Sequence, residues 1–192
     1  MAKIDKKLLR EEVLRSKKKD LASQAYKIAA NILEEKKKIY IKNIKNHPVS
    51  KELQDGPDAD NSSKTLDGPG NLFSFIGFSR GSSPLDIVIS EINNNTSIKE
   101  RRTDKEDFEF LIETPNLEEL ESITPMPFEP GNSWLKGIEK GISGFSNYIY
   151  GLFNNSRSGR GIQSKNKVRK VNYKPVKFFS ILYNQFIKSF NR

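Results

Sequence analysis

Residues 5–46 contain neither Gly nor Pro, and apolar side chains recur there at steps of three and four: Leu8, Leu14, Leu21, Ala25, Ile28, Ile32 and Leu33, then Ile39 and Tyr40. That spacing predicts one unbroken helix. At a rise of about 1.5 Å per residue it would run roughly 60 Å, further than a small domain is wide. Asn46, His47 and Pro48 supply the stop. The flanks are rich in Lys (Lys17-Lys18-Lys19, Lys36-Lys37-Lys38), and lysine stems can cover apolar surface while their charges stay in water. Nothing else in the chain is long enough to cover the N-terminal half of the stripe. The expectation is therefore a helix that projects from the core and buries its apolar side on a neighbour.

Charge is sorted along the chain in three blocks. Residues 1–51 hold fifteen Lys/Arg against six Asp/Glu, residues 52–131 six against seventeen, and residues 132–192 twelve against one. Like charges held together repel and add nothing to catalysis, whereas copies packed around a ring, or against an oppositely charged partner, bring unlike blocks together. The sorting points to an assembly part. Apolar residues make up 35% of the chain and charged residues 30%, which allows a modest core. The aromatic residues concentrate after residue 70 and place that core there.

The absence of cysteine excludes disulfides and thiolate metal sites. His47 is the single histidine, which excludes His-pair metal ligation and argues against a Ser-His-Asp triad. The N-terminus lacks an apolar signal core and no run reaches bilayer length, so an intracellular setting, or a particle built there, is expected. The Gly68-Pro69-Gly70 stretch lacks the spacing and the Lys of a phosphate-binding loop. Asp55, Asp58, Asp60 and Asp67 lack the register of a calcium loop. The clusters Glu118-Glu119-Glu121 and Asp104-Glu106-Asp107 fit solvated turns better than an acid/base pair. No cofactor, metal or catalytic residue is expected.

The rest reads as follows. Residues 53–71 form a loop around two Asp-Gly-Pro turns. Leu72-Phe73-Ser74-Phe75-Ile76-Gly77-Phe78 is a buried strand or an insertion plug, with the strand expected. Ser83 caps a helix through Leu85, Val88, Ile89 and Ile92, with Pro84 at its first position and Asn93-Asn94-Asn95 at its end. Residues 97–102 and 107–114 form a hairpin whose second arm alternates Phe108, Phe110 and Ile112 with Glu109, Leu111 and Glu113. One or two helical turns follow at 116–123, then an extended Pro-rich stretch at 124–131. Ser133 caps a helix from Trp134 towards Gly151, with Trp134, Ile138, Ile142, Phe145 and Ile149 on one face and Gly137, Gly141 and Gly144 on another. Three glycines weaken a helix by about 1 kcal/mol each, so a second backbone is expected to approach that side. A helix opening at Pro175 carries Phe178, Phe179, Leu182, Tyr183, Phe186, Ile187 and Phe190, a broad face that its own core or another subunit must cover.

The segment 154–174 is Gly/Ser/Asn-rich and carries Arg157, Arg160, Lys165, Lys167, Arg169 and Lys170 with no acid. It reads as a basic loop for contact with phosphate or with acidic protein. Duplex phosphate would be met by Lys and Arg alone. With no aromatic before Tyr173, single-strand base stacking is disfavoured, and an acidic neighbouring copy is favoured.

The ordered segments His47-Pro48-Val49-Ser50-Lys51-Glu52-Leu53, Gly70-Asn71-Leu72-Phe73-Ser74-Phe75-Ile76-Gly77-Phe78, Ser133-Trp134-Leu135-Lys136-Gly137-Ile138-Glu139-Lys140-Gly141-Ile142-Ser143-Gly144 and Ser158-Gly159-Arg160-Gly161-Ile162-Gln163 resemble those of neck or tail-completion proteins of long-tailed bacteriophages. The similarity runs over roughly residues 1–190. It implies an α+β fold with a long N-terminal helix, a small antiparallel β-sheet with packed helices, and a C-terminal helix. It also implies a virion structural protein that forms a homo-oligomeric ring, commonly six-fold, joining the head connector or adaptor to tail terminator or tail tube proteins. No catalytic residue is carried over. The interface implied has Trp134, Gly137, Gly141 and the segment 72–78 (Leu72, Phe73, Phe75, Phe78) as anchors, to which the apolar C-terminal face adds Phe186. The Lys-rich extension departs from compact members. The expected organisation is a projecting basic helix at 1–46, an α+β core at 47–153, the basic loop at 154–174 and a C-terminal helix at 175–192. The alternatives are a basic nucleic-acid-binding accessory protein or a tail terminator.

Overall fold

A computed structural model of the chain describes residues 6–67, 70–102, 108–127, 131–141, 148–150, 161–163 and 173–191. The fold is α+β. The long helix is present as α1 (Lys6–Asn46). Its C-terminal half turns Leu33, Lys37, Tyr40 and Ile44 into the core, four and three residues apart, so these share one side of the helix. Lys37 keeps its charge at the edge of this buried stripe by pairing with Glu34 at 2.6 Å. The expected stripe thus splits. Leu33 and Tyr40 are core, while Leu21, Ile28, Ile32 and Ile39 stay exposed. The boundary at residue 46 does not separate packing units, because the end of α1 is part of the body.

Pro48 restarts a helix immediately. His47 takes the N-cap position of α2 (Pro48–Asp55), its Nδ1 accepting from Val49 N–H at 3.3 Å, and Pro48 supplies the first helical residue. The expected loop therefore begins only after Asp55, at a 3-10 turn (Gly56–Asp58). The segment 72–78 is not a strand. It forms α3 (Leu72–Ile76), because Asn71 caps it by accepting from Ser74 N–H at 2.8 Å and Gly77, at φ 93°, ends it in the left-handed region. An apolar run this short carries no periodicity to tell helix from strand. Its caps decide.

Helix α4 (Pro84–Asn95) buries Leu85, Val88, Ile89 and Ile92 as expected, but Ser83 makes no side-chain cap. The helix ends at the asparagines, as expected. Asn95 donates to Glu91 at 2.6 Å and Asn94 to Ser90 at 3.3 Å, one turn back. The hairpin forms as expected from β1 (Ser97–Arg102) and β2 (Phe108–Glu113), antiparallel, with Ile98 opposite Ile112. It packs beside α1, where Phe110 meets Tyr26 with ring centroids 6.3 Å apart. The expected turns at 116–123 form α5 (Leu117–Ser122), closed by a capping box between Asn116 and Glu119.

The Trp helix is shorter than its spacing predicts. α6 (Trp134–Lys140) starts on a Ser133 cap and stops at Gly141, whose φ of 83° takes the chain out of the helix. Tyr148–Tyr150 is instead a strand, β3, antiparallel to β4 (Gly161–Gln163), so the expected basic loop contains a strand. Gly144 and the continuation of the expected glycine face lie outside the described residues. The last helix, α7 (Phe179–Lys188), begins four residues after Pro175. The intervening chain is held extended on α6 by Val176 N–H donating to Ile138 O at 2.8 Å. The apolar face of α7 is covered within the chain. Phe186 stacks on Tyr40 at 4.6 Å, and the Lys36 ammonium sits 4.4 Å from the Phe190 ring centroid while also donating to Ser189 O.

Asn71 joins three segments, since its amide also donates to Pro57 O at 2.7 Å and Ala59 O at 3.0 Å. Asn71→Ala is expected to lower unfolding free energy by about 2 kcal/mol, from the lost cap and two part-buried acceptors left without their donor. Urea denaturation followed by circular dichroism measures it, and a loss near zero would show that α3 does not depend on its cap.

Candidate functional site

The residues expected at an interface between copies are mostly core. Leu72, Phe73, Phe75, Trp134 and Gly137 are buried, and Phe78 is half-buried between Phe73 and Trp134 at centroid distances of 5.4 and 5.9 Å. Leu72, Trp134 and Gly137 line, with Ile76, Ile138 and Tyr173, a cavity of about 10 Å³, room for about one water and no more. Phe186 is buried elsewhere, against α1. These side chains hold the fold and leave contact to other surfaces. The reason is numerical: a chain with a modest apolar fraction spends its aromatics on its own core first. Gly141 is required for its backbone conformation and because a Cβ there would sit 3.1 Å from Pro175 Cγ. Arg157, Arg160, Lys165, Lys167, Arg169 and Lys170 lie outside the described residues.

Sequence reasoning missed the polar heart of the structure. Glu52 and Glu139 are buried carboxylates whose oxygens all accept from the chain itself. Glu52 receives Leu72 N–H at 2.5 Å, the first residue of α3, and Ser63 N–H at 3.0 Å. Glu139 receives Phe179 N–H at 2.6 Å, Ser180 N–H at 3.2 Å and the Ser180 hydroxyl at 2.7 Å. Each thus satisfies the orphan donors at a helix N-terminus, where the helix dipole also favours a negative charge. Tyr173 lies close to both. Its hydroxyl donates to Ile138 O at 3.1 Å, and burial, then Glu139 and Glu52, push its phenol above the usual range. A signal was present in the sequence. Glu52 falls three residues after Val49, and Glu139 four after Leu135, on apolar helix faces where an acid needs a partner.

Every oxygen of both carboxylates accepts a hydrogen bond from the chain, and the adjoining cavity holds about one water. Among the described residues no group of three or more His, Cys, Asp or Glu is placed to hold a metal ion, and no helix is long and apolar enough to cross a membrane. The open feature is a groove of about 540 Å³ between α1 and α7, bounded by Lys36, Ile39, Tyr40, Asn43, Leu182 and Gln185 among others. Tyr40 is buried with no hydrogen-bond partner for its hydroxyl among the described residues. Burial, then Tyr183, raises its phenol above the ordinary range.

Glu139→Ala leaves the first amides of α7 without acceptors, and a loss of about 3 kcal/mol is expected. Glu139→Gln should retain part of it, and hydrogen exchange should speed most in α7. Uniform exchange across the chain would show that Glu139 is not a local latch.

His47 is half-buried against Phe178, at 5.1 Å between rings. Burial lowers its pKa from the ordinary 6.5, opposed by Glu139. The unfolded chain therefore binds the proton more readily, so stability rises with pH up to about 6.5 and falls on acidification below it. His47→Asn, which keeps a capping side chain, should flatten melting temperature between about pH 7 and pH 5. An unchanged slope would assign the pH dependence to other groups. Comparison with protein-family models, curated proteins and solved structures finds no match to this chain.

Proposed function

We propose that this chain is a structural protein of a tailed-phage virion, forming a ring at the neck or tail-completion position that joins head connector to tail. The observation that carries the reading is α1. It is anchored in the body by Leu33, Tyr40 and Ile44, yet its remaining length carries a lysine-rich surface that the body leaves exposed. Such a helix serves contact. It bears thirteen Lys/Arg against five Asp/Glu, while residues 52–131 carry the opposite sign, a distribution that suits copies meeting head-to-tail, the contact type that closes rings. The sequence segments that resemble neck proteins supply the place in the particle. The aromatic cluster and the buried carboxylates supply a body that holds its shape without a ligand.

Native mass measurement tests this. At low salt a single discrete oligomer is expected, dissociating as ionic strength approaches about 1 M, where surface charges are screened within a few ångströms. A monomer at every concentration, with duplex DNA binding whose affinity falls steeply with salt, would overturn it in favour of a nucleic-acid accessory protein.

A further inference from the structure

Leu21, Ile28, Ile32 and Ile39 are 58, 61, 44 and 58% exposed on α1. Single exposed apolar residues need no explanation, but a contiguous line of them does. These four lie seven, four and seven residues apart, with Ala25 between the first two, the spacing of a heptad seam. The seam lies roughly a third of a turn away from the buried stripe of Leu33, Lys37, Tyr40 and Ile44. The described part of the hairpin meets α1 through Phe110 at Tyr26, which is in line with Leu33 and Tyr40 and away from the seam. At its C-terminal end the seam runs into the α1–α7 groove, which Ile39 also lines. Seam and groove form one track, interrupted by Glu35 between Ile32 and Ile39.

Charge selects the occupant. Over residues 17–42 the positions flanking the seam carry Lys17, Lys36 and Lys38 and no acid, while Lys18, Glu35 and Lys42 stand at seam positions. A second copy laid seam to seam would bring lysines against lysines, which is unfavourable at the flanking positions of a helix pair. The acidic helices of this chain, α4 and α5, bury their apolar faces in the core and leave exposed among them only Ile87, too little to fill a seam. We propose that the track on α1 binds an amphipathic helix of a different protein, apolar at heptad spacing and flanked by Glu or Asp, lying along α1 with one end in the α1–α7 groove. This is helix-in-groove recognition. It rests on the assembly reading only for where that partner is met.

The test uses the full chain and three synthetic four-heptad peptides. The first carries Leu and Ile at the seam positions with Glu at the flanks, the second keeps the Glu but places Ala at the seam, and the third keeps the seam but places Lys at the flanks. Fluorescence anisotropy at physiological salt should show saturable binding of the first and binding at least about tenfold weaker for the other two. Ile28→Asp with Ile32→Asp should abolish binding, and Ile28→Ala with Ile32→Ala, which preserves helix propensity, should weaken it by about tenfold. Circular dichroism reports whether each variant keeps its helix. Equal binding of the first two peptides would show charge attraction alone and overturn the proposal. So would a self-association of the chain that disappears in the Ile28/Ile32 variants, because a second copy would then occupy the seam. A ring that forms normally in those variants leaves the ring reading standing, so the two readings fail separately.

Discussion

Two buried carboxylates, each closing the N-terminus of a helix far away in sequence, hold this body together. Glu139 fixes where α7 begins and ties it to α6. Glu52 does the same for α3 from α2. Without them α3 would be a five-residue helix of little stability by itself, and α7 would end a chain with little to set its direction. Because α7 supplies Phe186 to the Tyr40 stack, the Glu139 contact also decides how firmly α1 is gripped. Local hydrogen bonds thus set the attachment of the longest element in the molecule. Glu139 is also the lone carboxylate of residues 132–192, so its negative charge sits inside a strongly basic block.

How much of this was legible in the sequence depends on how each element is specified. α1 was, since forty-one residues in its span lack Gly and Pro. The hairpin was, since Phe108, Phe110 and Ile112 alternate with Glu109, Leu111 and Glu113, two of them acidic, and the register sets Ile112 against Ile98. α3 was not, because five apolar residues fit either period and the deciding Asn71 and Gly77 stand outside the run. The length of α6 was misjudged for the opposite reason. The apolar spacing continues past Gly141, but a glycine at positive φ ends the helix whatever follows it.

The interface residues were misjudged through a similar confusion. Large apolar side chains mark a surface that must be covered, and sequence alone does not say by what. Trp134, Phe75 and Phe186 are covered from within the chain, whereas Leu21, Ile28 and Ile32 are not. The difference follows from position. The aromatics lie on short helices that fold back on one another, and the aliphatics lie on a rod that, among the described residues, meets the hairpin at Tyr26.

That rod has a mechanical meaning. Its last three turns are clamped between α7 and the core, and only His47 separates it from α2. A rigid shaft held at one end magnifies any angular play at its mount, so slight repacking around Tyr40 and Phe186 becomes a broad sweep at the free end. The search radius for whatever it grips is therefore set by how firmly two rings stack at its base.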